Sequence, residues 1–385
     1  MYLIKNAEVY SPDPQGKQDV LIGGGKIIAI AKDISLSEAV LQGTIDGKGL
    51  TLVPGFIDAH VHIAGAGGEG GPATRTPELQ LLHMLEAGVT TVIGCLGTDG
   101  MTRNLESVLM KTKSLKQEGV SAWMFTGAYQ VPTPSLLGDV GRDIALIEEV
   151  IGVGEIALSD HRSSNPGREE LAKLVGHARV GGMLGNKAGI VNIHMGDALD
   201  PFRPIYDLVE NSELGFKQFY PTHCNRNEHI FEDAKLYGKL GYIDITASAY
   251  PFFPDLEIKP SKAIKGFLDE DVPLQHITMT SDGCGSLPHF DEQGKLVQLE
   301  MGFPLSVYEE FKAAVQEEKI PFEKVLRIVS TNAADILKLP GKGRIETGWD
   351  ADLLLLDKDL SIIHLFANGT LMVKNKEIII QNTYH

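Results

Sequence analysis

The chain has few cysteines and no long apolar run. Its three cysteines, Cys95, Cys224 and Cys284, are widely separated and odd in number. This excludes a disulfide framework and indicates free thiols in a reducing compartment, so we expect a cytoplasmic protein. No apolar stretch approaches the roughly 18–20 residues that cross a bilayer, so we expect no membrane association. The first residues also lack a basic segment followed by an apolar run, so we expect no signal peptide.

Basic charge is also scarce. The 385 residues include 51 acidic and 35 basic side chains, which gives a formal net charge of -16. This balance argues against a nucleic-acid-binding surface, although buried arginines can still bind an anionic small molecule. The hydrophobic content of 43% is that of an ordinary globular protein. The length suits one large domain and one small domain.

The two ends of the chain share a β-rich pattern. Val20–Ile22 and Lys26–Ile30 flank the glycines 23–25, which is a hairpin signal. The C-terminal end also has short apolar runs separated by Asp, Gly and Asn. Neither end supplies enough strands to complete a sheet. We therefore predict a small β-sandwich domain built from residues 1–53 and 338–385.

The middle of the chain, residues 54–337, alternates apolar β-rich runs with amphipathic helical stretches such as 77–87 and 104–117. Eight repeats of about 30 residues predict a (β/α)8 TIM-like barrel, an α/β fold. An open doubly wound sheet is the alternative, but no Gly-x-Gly-x-x-Gly motif opens a helix after a first strand. The stretch from Asp282 to Pro304 is long enough for an active-site loop.

Polar side chains end several of the predicted strands. In this fold the carboxyl ends of the strands meet at one mouth. His60 and His62 point to the same side because side chains alternate along a strand. The candidate ligands at this mouth are His60, His62, Glu155, His194, His223 and Asp282.

Four histidines and two carboxylates exceed the four ligands that one zinc ion usually takes. They suit two divalent ions about 3.5–4 Å apart, for which we expect Zn²⁺, with other divalent metals possible. Glu155 is the expected bridging carboxylate. Asp282 is expected to ligate one ion and to carry a proton from the bridging hydroxide to the leaving amine.

The segment Pro54–His62 resembles the signature of the amidohydrolase superfamily, and Gly348–Leu354 fits the same resemblance. Six further motifs are similar to those of the isoaspartyl (β-aspartyl) dipeptidase family. These motifs are 65–72, 127–129, 159–162, 194–197, 221–226 and 281–286. The resemblance implies a metal-dependent hydrolase of isoaspartyl dipeptides that forms homo-oligomers.

The resemblance also implies substrate contacts. Glu69 corresponds to the residue that holds the free ammonium of the substrate, and Arg162 and Arg226 to the arginines that bind its carboxylates. Tyr129 corresponds to the phenol that binds the scissile carbonyl and stabilises the oxyanion. Lesser polar contacts are implied for Gly67, Thr98 and Ser286.

One feature departs from the family pattern, in which a carboxylated lysine bridges the metals. No lysine lies between Val150 and Arg162, and Glu155 stands in its place. Two alternatives stay open. Another amidohydrolase, such as a cyclic-amide hydrolase or an N-acyl amino acid deacylase, would have no ammonium for Glu69 to bind. A metal-free scaffold would have lost ligands that this chain keeps.

Overall fold

The computed structural model describes residues 1–291, 293 and 295–380. Its strands are β1 (Tyr2–Tyr10), β2 (Pro14–Gly23), β3 (Lys26–Ala31), β4 (Gly43–Asp46), β5 (Thr51–Pro54), β6 (Phe56–Val61), β7 (Val89–Gly94), β8 (Ser121–Thr126), β9 (Val150–Leu158), β10 (Ile190–Met195), β11 (Phe219–Thr222), β12 (Ile243–Thr246), β13 (Ile277–Thr280), β14 (Ser286–Phe290), β15 (Leu296–Met301), β16 (Leu353–Leu356), β17 (Ile362–Ala367), β18 (Thr370–Lys374) and β19 (Glu377–Ile378). Its α-helices are α1 (Leu81–Glu86), α2 (Leu105–Gln117), α3 (Val140–Leu146), α4 (Arg168–Gly185), α5 (Arg203–Glu210), α6 (Glu228–Gly238), α7 (Pro260–Asp269), α8 (Leu305–Gln316), α9 (Phe322–Leu326) and α10 (Asn332–Ile336).

Both ends of the chain enter one nine-stranded mixed sheet. The order is β19-β18-β17-β16-β5-β1-β2-β3, with β4 also paired to β1. Leu52 on β5 is paired with Val9 on one side and with Leu355 on the other, so the two ends of the chain meet at this strand. The hairpin β2–β3 is confirmed, with Gly24 and Gly25 both at positive φ in its turn. The packing of two sheets into a sandwich stays a prediction.

The middle of the chain forms a TIM-like barrel. Strands β6 to β11 make a parallel sheet in sequence order, and β12 and β13 make a parallel pair. Backbone hydrogen bonds join these two pieces. The amide of Cys224 donates to Asp244 O at 3.1 Å, and the amide of Asp282 donates to His60 O at 3.1 Å. The strand order does not reverse as it would in a doubly wound sheet, and the parallel strands continue around the barrel.

Helices connect the strands, and some boundaries differ from the prediction. Helix α2 begins after Asn104, whose side chain accepts a hydrogen bond from the amide of Ser107, as an N-cap should. The predicted helix over 77–87 is shorter, because Leu79 donates its amide to Ile63 O and keeps that segment extended. Among the described residues, no helix has both the length and the apolar composition that a membrane crossing needs.

The stretch from Asp282 to Pro304 is mostly a hairpin rather than an irregular loop. Strands β14 and β15 pair antiparallel within it, with Ser286 opposite Met301. Pairing satisfies backbone groups that a long loop would leave to water. The hairpin starts at the barrel mouth, four residues after Asp282, so it borders the predicted active site.

A buried lysine fastens the terminal sheet to the barrel. The Nζ atom of Lys342 lies 2.5 Å from Asp352 Oδ2 and 2.8 Å from Asp350 Oδ2, and its side chain is 2% exposed. It also donates to Ser121 Oγ at 2.5 Å. Ser121 begins a barrel strand and Asp352 precedes a strand of the terminal sheet, so one cation links the two units.

We expect Lys342→Met to lower the free energy of unfolding by about 3–5 kcal/mol, because removing the lysine leaves the buried Asp352 carboxylate uncompensated. Urea titration followed by circular dichroism measures this loss. The matched control is Lys26→Met, since Lys26 also contacts Asp350 but has a side chain that is 49% exposed. Its loss should be much smaller. Equal losses in the two variants would contradict the anchoring role.

Candidate active site

The predicted ligands lie at the carboxyl ends of the barrel strands. His60 is on β6 and His62 follows its last residue, while Glu155 and His194 lie within β9 and β10. His223 and Asp282 come just after their strands and have φ values of 62° and 55°. Non-glycine residues seldom adopt this left-handed conformation, and it recurs at functional sites.

The Glu155 carboxylate lies at the centre of this group. Its Oε1 atom is 3.4 Å from His62 Nε2. Its Oε2 atom is 3.4 Å from His60 Nε2, 3.3 Å from His194 Nδ1 and 3.7 Å from His223 Nε2. Four imidazoles from three strands, β6, β10 and β11, therefore face one buried carboxylate.

Asp282 and Cys95 complete the cluster on the side of the first two histidines. Asp282 Oδ1 is 3.0 Å from His62 Nε2 and 3.7 Å from His60 Nε2. Two groups of possible ligand atoms share Glu155, and within each group the atoms lie within 4.8 Å of one another. One group is His60, His62, Cys95 and Glu155, and the other is Glu155, His194 and His223.

The cluster fits a pair of divalent cations. Glu155 Oε2 and Asp282 Oδ1 are buried, and although imidazole nitrogens lie 3.0–3.7 Å away, neither oxygen accepts a hydrogen bond of good geometry from the described residues. A buried carboxylate oxygen without a donor is costly unless a cation compensates it. Imidazole nitrogen, carboxylate oxygen and thiol sulfur are the donor atoms that zinc takes in proteins. The residues present therefore match the metal that the sequence predicts.

The charges in the cluster perturb one another. Burial lowers the pKa of His60, but the neighbouring Cys95, Glu155 and Asp282 raise it to about 10 overall. Burial raises the pKa of Glu155, but the surrounding histidines bring it well below its ordinary value. Burial and the charge of His194 lower the pKa of His223 to about 4. Glu155 is therefore ionised in this environment.

Side chains behind the histidines fix their orientation. His60 Nδ1 lies 3.1 Å from Asn192 Oδ1, and His223 Nδ1 lies 2.7 Å from Thr246 Oγ1. Such contacts select the tautomer and rotamer of a ligating imidazole. Sequence reasoning missed Asn192 and Thr246. A signal was present for Asn192, which lies two residues before His194 and hence on the same side of its strand.

Arg162 is held at the mouth by Asp160, which sequence reasoning also missed. Its Nε and Nη2 atoms donate to Asp160 Oδ1 and Oδ2, each at 2.9 Å. Asp160 Oδ2 also lies 3.1 Å from His194 Nε2. Burial raises the pKa of the Asp160 carboxyl, but His194 and Arg162 lower it far below its ordinary value. This fork fixes the guanidinium before any ligand arrives.

Tyr129 contacts both His194 and Arg162. Its hydroxyl is 2.7 Å from His194 Nδ1, and the guanidinium carbon of Arg162 is 5.2 Å from the centre of its ring. The Tyr129 side chain is buried, and burial raises the pKa of its phenol well above the ordinary value. The phenol therefore stays protonated and can donate a hydrogen bond into the site.

Glu69 is near Arg162 at the edge of the site. Its Oε2 atom accepts from Ser286 Oγ at 3.0 Å, and its Oε1 atom is 3.7 Å from Arg162 Nη1. Arg162 Nη1 also reaches Thr98 Oγ1 at 3.4 Å. Gly67 has a φ of 79°, and a Cβ there would lie 2.3 Å from a backbone oxygen, so this glycine shapes the loop that carries Glu69.

A cleft of about 540 Å³ opens over the cluster. Arg226 lines it, with Nη1 3.3 Å from His194 Nε2 and Nε 3.3 Å from Asp197 Oδ1. Apolar side chains, among them Phe253 and Leu287, also line it. Glu257 also lines the cleft and was not predicted. Burial raises its pKa to about 8, although Arg226 opposes this change.

Comparison with known proteins places this site in a family. A model of the amidohydrolase family matches residues 220–378. A crystal structure of β-aspartyl dipeptidase from Fervidobacterium islandicum AW-1, in complex with the β-Asp-Leu dipeptide, is 42% identical. It covers 99% of each chain with a TM-score of 0.91. A second structure of that enzyme is 40% identical with a TM-score of 0.88 and covers 99% of each chain.

A curated dihydroorotase from Elusimicrobium minutum is 25% identical over 447 residues, which covers 100% of this chain and 96% of the relative. The much higher identity to the dipeptidase structures extends over almost the whole length of both chains. The chain belongs to the amidohydrolase family and groups with its β-aspartyl dipeptidases.

Proposed function

We propose that this protein hydrolyses the β-aspartyl (isoaspartyl) peptide bond of dipeptides with the help of two divalent cations, which we take to be zinc. The observation that carries the proposal is the Glu155 carboxylate faced by four imidazoles, below a cleft that two arginines line and beside which Glu69 contacts Ser286 and Arg162. The similarity to a structure that contains β-Asp-Leu supports it.

In this proposal His60, His62, Glu155 and Asp282 hold one ion, and Glu155, His194 and His223 hold the other. Glu155 is shared, because its two oxygens face histidines of both groups. When bound, the ions lower the pKa of water towards neutrality and polarise the scissile carbonyl. The protein supplies the remaining steps through its own side chains.

Asp282 serves as the proton shuttle. Its Oδ1 atom is buried and accepts no hydrogen bond of good geometry from the described residues. It can take the proton of the attacking water and then give it to the nitrogen of the leaving amine, acting as general base and then as general acid.

The other side chains match the charges of the substrate. An isoaspartyl dipeptide carries one free ammonium and two carboxylates. Glu69 pairs with the ammonium, and Arg162 and Arg226 pair with the carboxylates. Tyr129 donates its hydroxyl proton in a hydrogen bond to the scissile carbonyl oxygen and stabilises the charge that develops there. Thr98, Ser286 and Gly67 support these contacts.

Hydrolysis of a cyclic amide is the second candidate, and the dihydroorotase relative favours it. The metal ligands would suit both reactions. Glu69 distinguishes the two reactions. Its carboxylate lies next to Arg162 at the edge of the cleft and would repel an anionic ring that offers no ammonium. This charge is our reason to prefer the dipeptide.

Four sequence predictions stay proposals. They are the division at residues 53 and 338, the sandwich arrangement of the terminal strands, the homo-oligomeric state and the cytoplasmic location. The three cysteines are free and buried, which supports a reducing compartment. The oligomeric state rests on the family resemblance alone.

The zinc-loaded protein should release aspartate and leucine from β-Asp-Leu. It should cleave α-Asp-Leu about 100 times more slowly, because the α-linked dipeptide lacks the methylene between the ammonium-bearing carbon and the scissile carbonyl, and its scissile bond is therefore displaced from the reacting groups. Chromatography of the products, with dihydroorotate as a third substrate, measures the preference. Cleavage of α-Asp-Leu alone, or of dihydroorotate alone, would overturn the proposal.

Asp282→Asn should lower kcat for β-Asp-Leu by about 10²–10⁴-fold, because an amide cannot carry the proton. The loss should persist when added zinc restores two ions per chain, as measured by mass spectrometry of the bound metal. The exposed Asp269 provides the control, and Asp269→Asn should keep full activity. A fully metallated Asp282→Asn enzyme within tenfold of the original rate would rule out the shuttle.

Glu69→Gln should lower kcat/KM for β-Asp-Leu by about 10–150-fold, since a hydrogen bond to a charged group contributes about 1.5–3 kcal/mol. N-acetyl-β-Asp-Leu has no ammonium, so its slower turnover should not fall. Glu78→Gln is the matched control, because the Glu78 side chain is 56% exposed and lies further along the same loop. Unchanged turnover of both substrates would favour the cyclic-amide class.

A further inference from the structure

Cys95 lies inside the metal-binding cluster, although no neighbouring residue in the sequence marks it as a metal ligand. It follows the last residue of β7 and is fully buried. Its Sγ atom is 3.7 Å from His60 Nε2 and 3.9 Å from His62 Nδ1. All ligand atoms of the group formed by these residues and Glu155 lie within 4.8 Å of one another.

We propose that Cys95 is a thiolate ligand of the ion held by His60 and His62, so that the two ions lie in unlike donor sets. This inference rests on the metal centre of the proposed function. The second group, Glu155, His194 and His223, contains no sulfur. One ion would therefore have a thiolate neighbour and the other would have nitrogen and oxygen ligands only.

The distances fit shared coordination. With Cys95 added to His60, His62, Glu155 and Asp282, this ion would have five ligands. Zinc binds thiolate sulfur at about 2.3 Å and imidazole nitrogen at about 2.0–2.1 Å, so two such ligands at an angle of about 110–120° around one ion lie about 3.6–3.8 Å apart. The distance of 3.7 Å between Cys95 Sγ and His60 Nε2 lies in this range. The weak contact of the thiol with Val61 O, at 3.6 Å, leaves the sulfur free to face the imidazoles.

The backbone after Cys95 is fastened to the same site. The amide of Glu155 donates to Leu96 O at 3.2 Å, which ties this segment to the shared carboxylate. Gly97 follows, and a Cβ there would lie 2.8 Å from both Glu155 Oε1 and His62 Cε1. The segment 95–97 therefore forms the wall of the site, and its one donor side chain points at the histidines.

The other two cysteines provide a comparison within the chain. Both are buried, as Cys95 is. Cys224 is next to His223 in sequence, but its Sγ donates to Pro221 O at 3.5 Å and is in neither ligand group. A cysteine that is adjacent to a ligand in sequence is therefore not necessarily part of the cluster. Cys95 belongs to it because the end of β7 lies beside the histidines.

The test uses the complete protein loaded with two zinc ions. X-ray absorption at the zinc edge should detect about half a sulfur atom per zinc at about 2.3 Å, since one of the two ions has a thiolate. The cobalt-substituted protein should show a sulfur-to-cobalt charge-transfer band in the near ultraviolet. Neither measurement requires a mutation or an active enzyme.

Variants then assign the sulfur. Cys95→Ser should abolish the band and weaken binding of one ion by at least about tenfold, because even an indirect metal contact is worth about 10–100-fold. Cys224→Ser should keep both the band and the affinity. Circular dichroism checks that each variant is folded. If the Cys95→Ser variant does not fold, the X-ray absorption spectrum of the unmutated zinc protein alone decides whether sulfur binds zinc.

A zinc environment without sulfur, or a band that survives in Cys95→Ser, would overturn the proposal. These outcomes are independent of the proposed reaction. Cleavage of β-Asp-Leu by a protein whose zinc lacks sulfur would leave the dipeptidase proposal intact and remove Cys95 from the site. Detection of zinc-bound sulfur in a protein that does not cleave β-Asp-Leu would instead support Cys95 as a ligand and contradict the dipeptidase proposal.

Discussion

The structure depends on one buried negative charge. The Glu155 carboxylate is almost fully buried among imidazoles that come from three different strands. Such a charge is stable only if every strand end stays in position and positive charge is present. The barrel meets the first condition because parallel strands hold their carboxyl ends at one mouth. The second condition links the fold to the binding of cations.

Neighbouring side chains also hold the charged groups of the cleft in fixed positions. Asp160 holds Arg162 through two hydrogen bonds, so the guanidinium is oriented before a ligand enters. Glu69 is held by Ser286, which comes from the hairpin bordering the mouth. Groups fixed in advance lose little entropy on binding, and their charges act strongly in a partly buried cleft.

The sequence was sufficient to predict those features of the site that follow from the alternation of side chains along a single strand. The spacing of His60 and His62, and the polar residues that end the other predicted strands, predicted the cluster that the structure assembles. Side-chain contacts between different strands could not be predicted from the sequence, because they depend on how the strands are aligned with one another. Thr246 and Cys95 contact histidines of other strands, and nothing in their local sequence shows this. The late start of α1 has a similar cause, since a backbone hydrogen bond to Ile63 keeps Leu79 extended.

The terminal sheet has a consequence for synthesis of the chain. Strand β5 is paired with β1 on one side and with β16 on the other, and about 300 residues separate β5 from β16. At about 5–20 residues per second, a ribosome needs about 15–60 s to make the intervening barrel. During that time β5 has an unpaired edge, which is a template for association with other chains. The first strands to emerge are thus completed by the last ones.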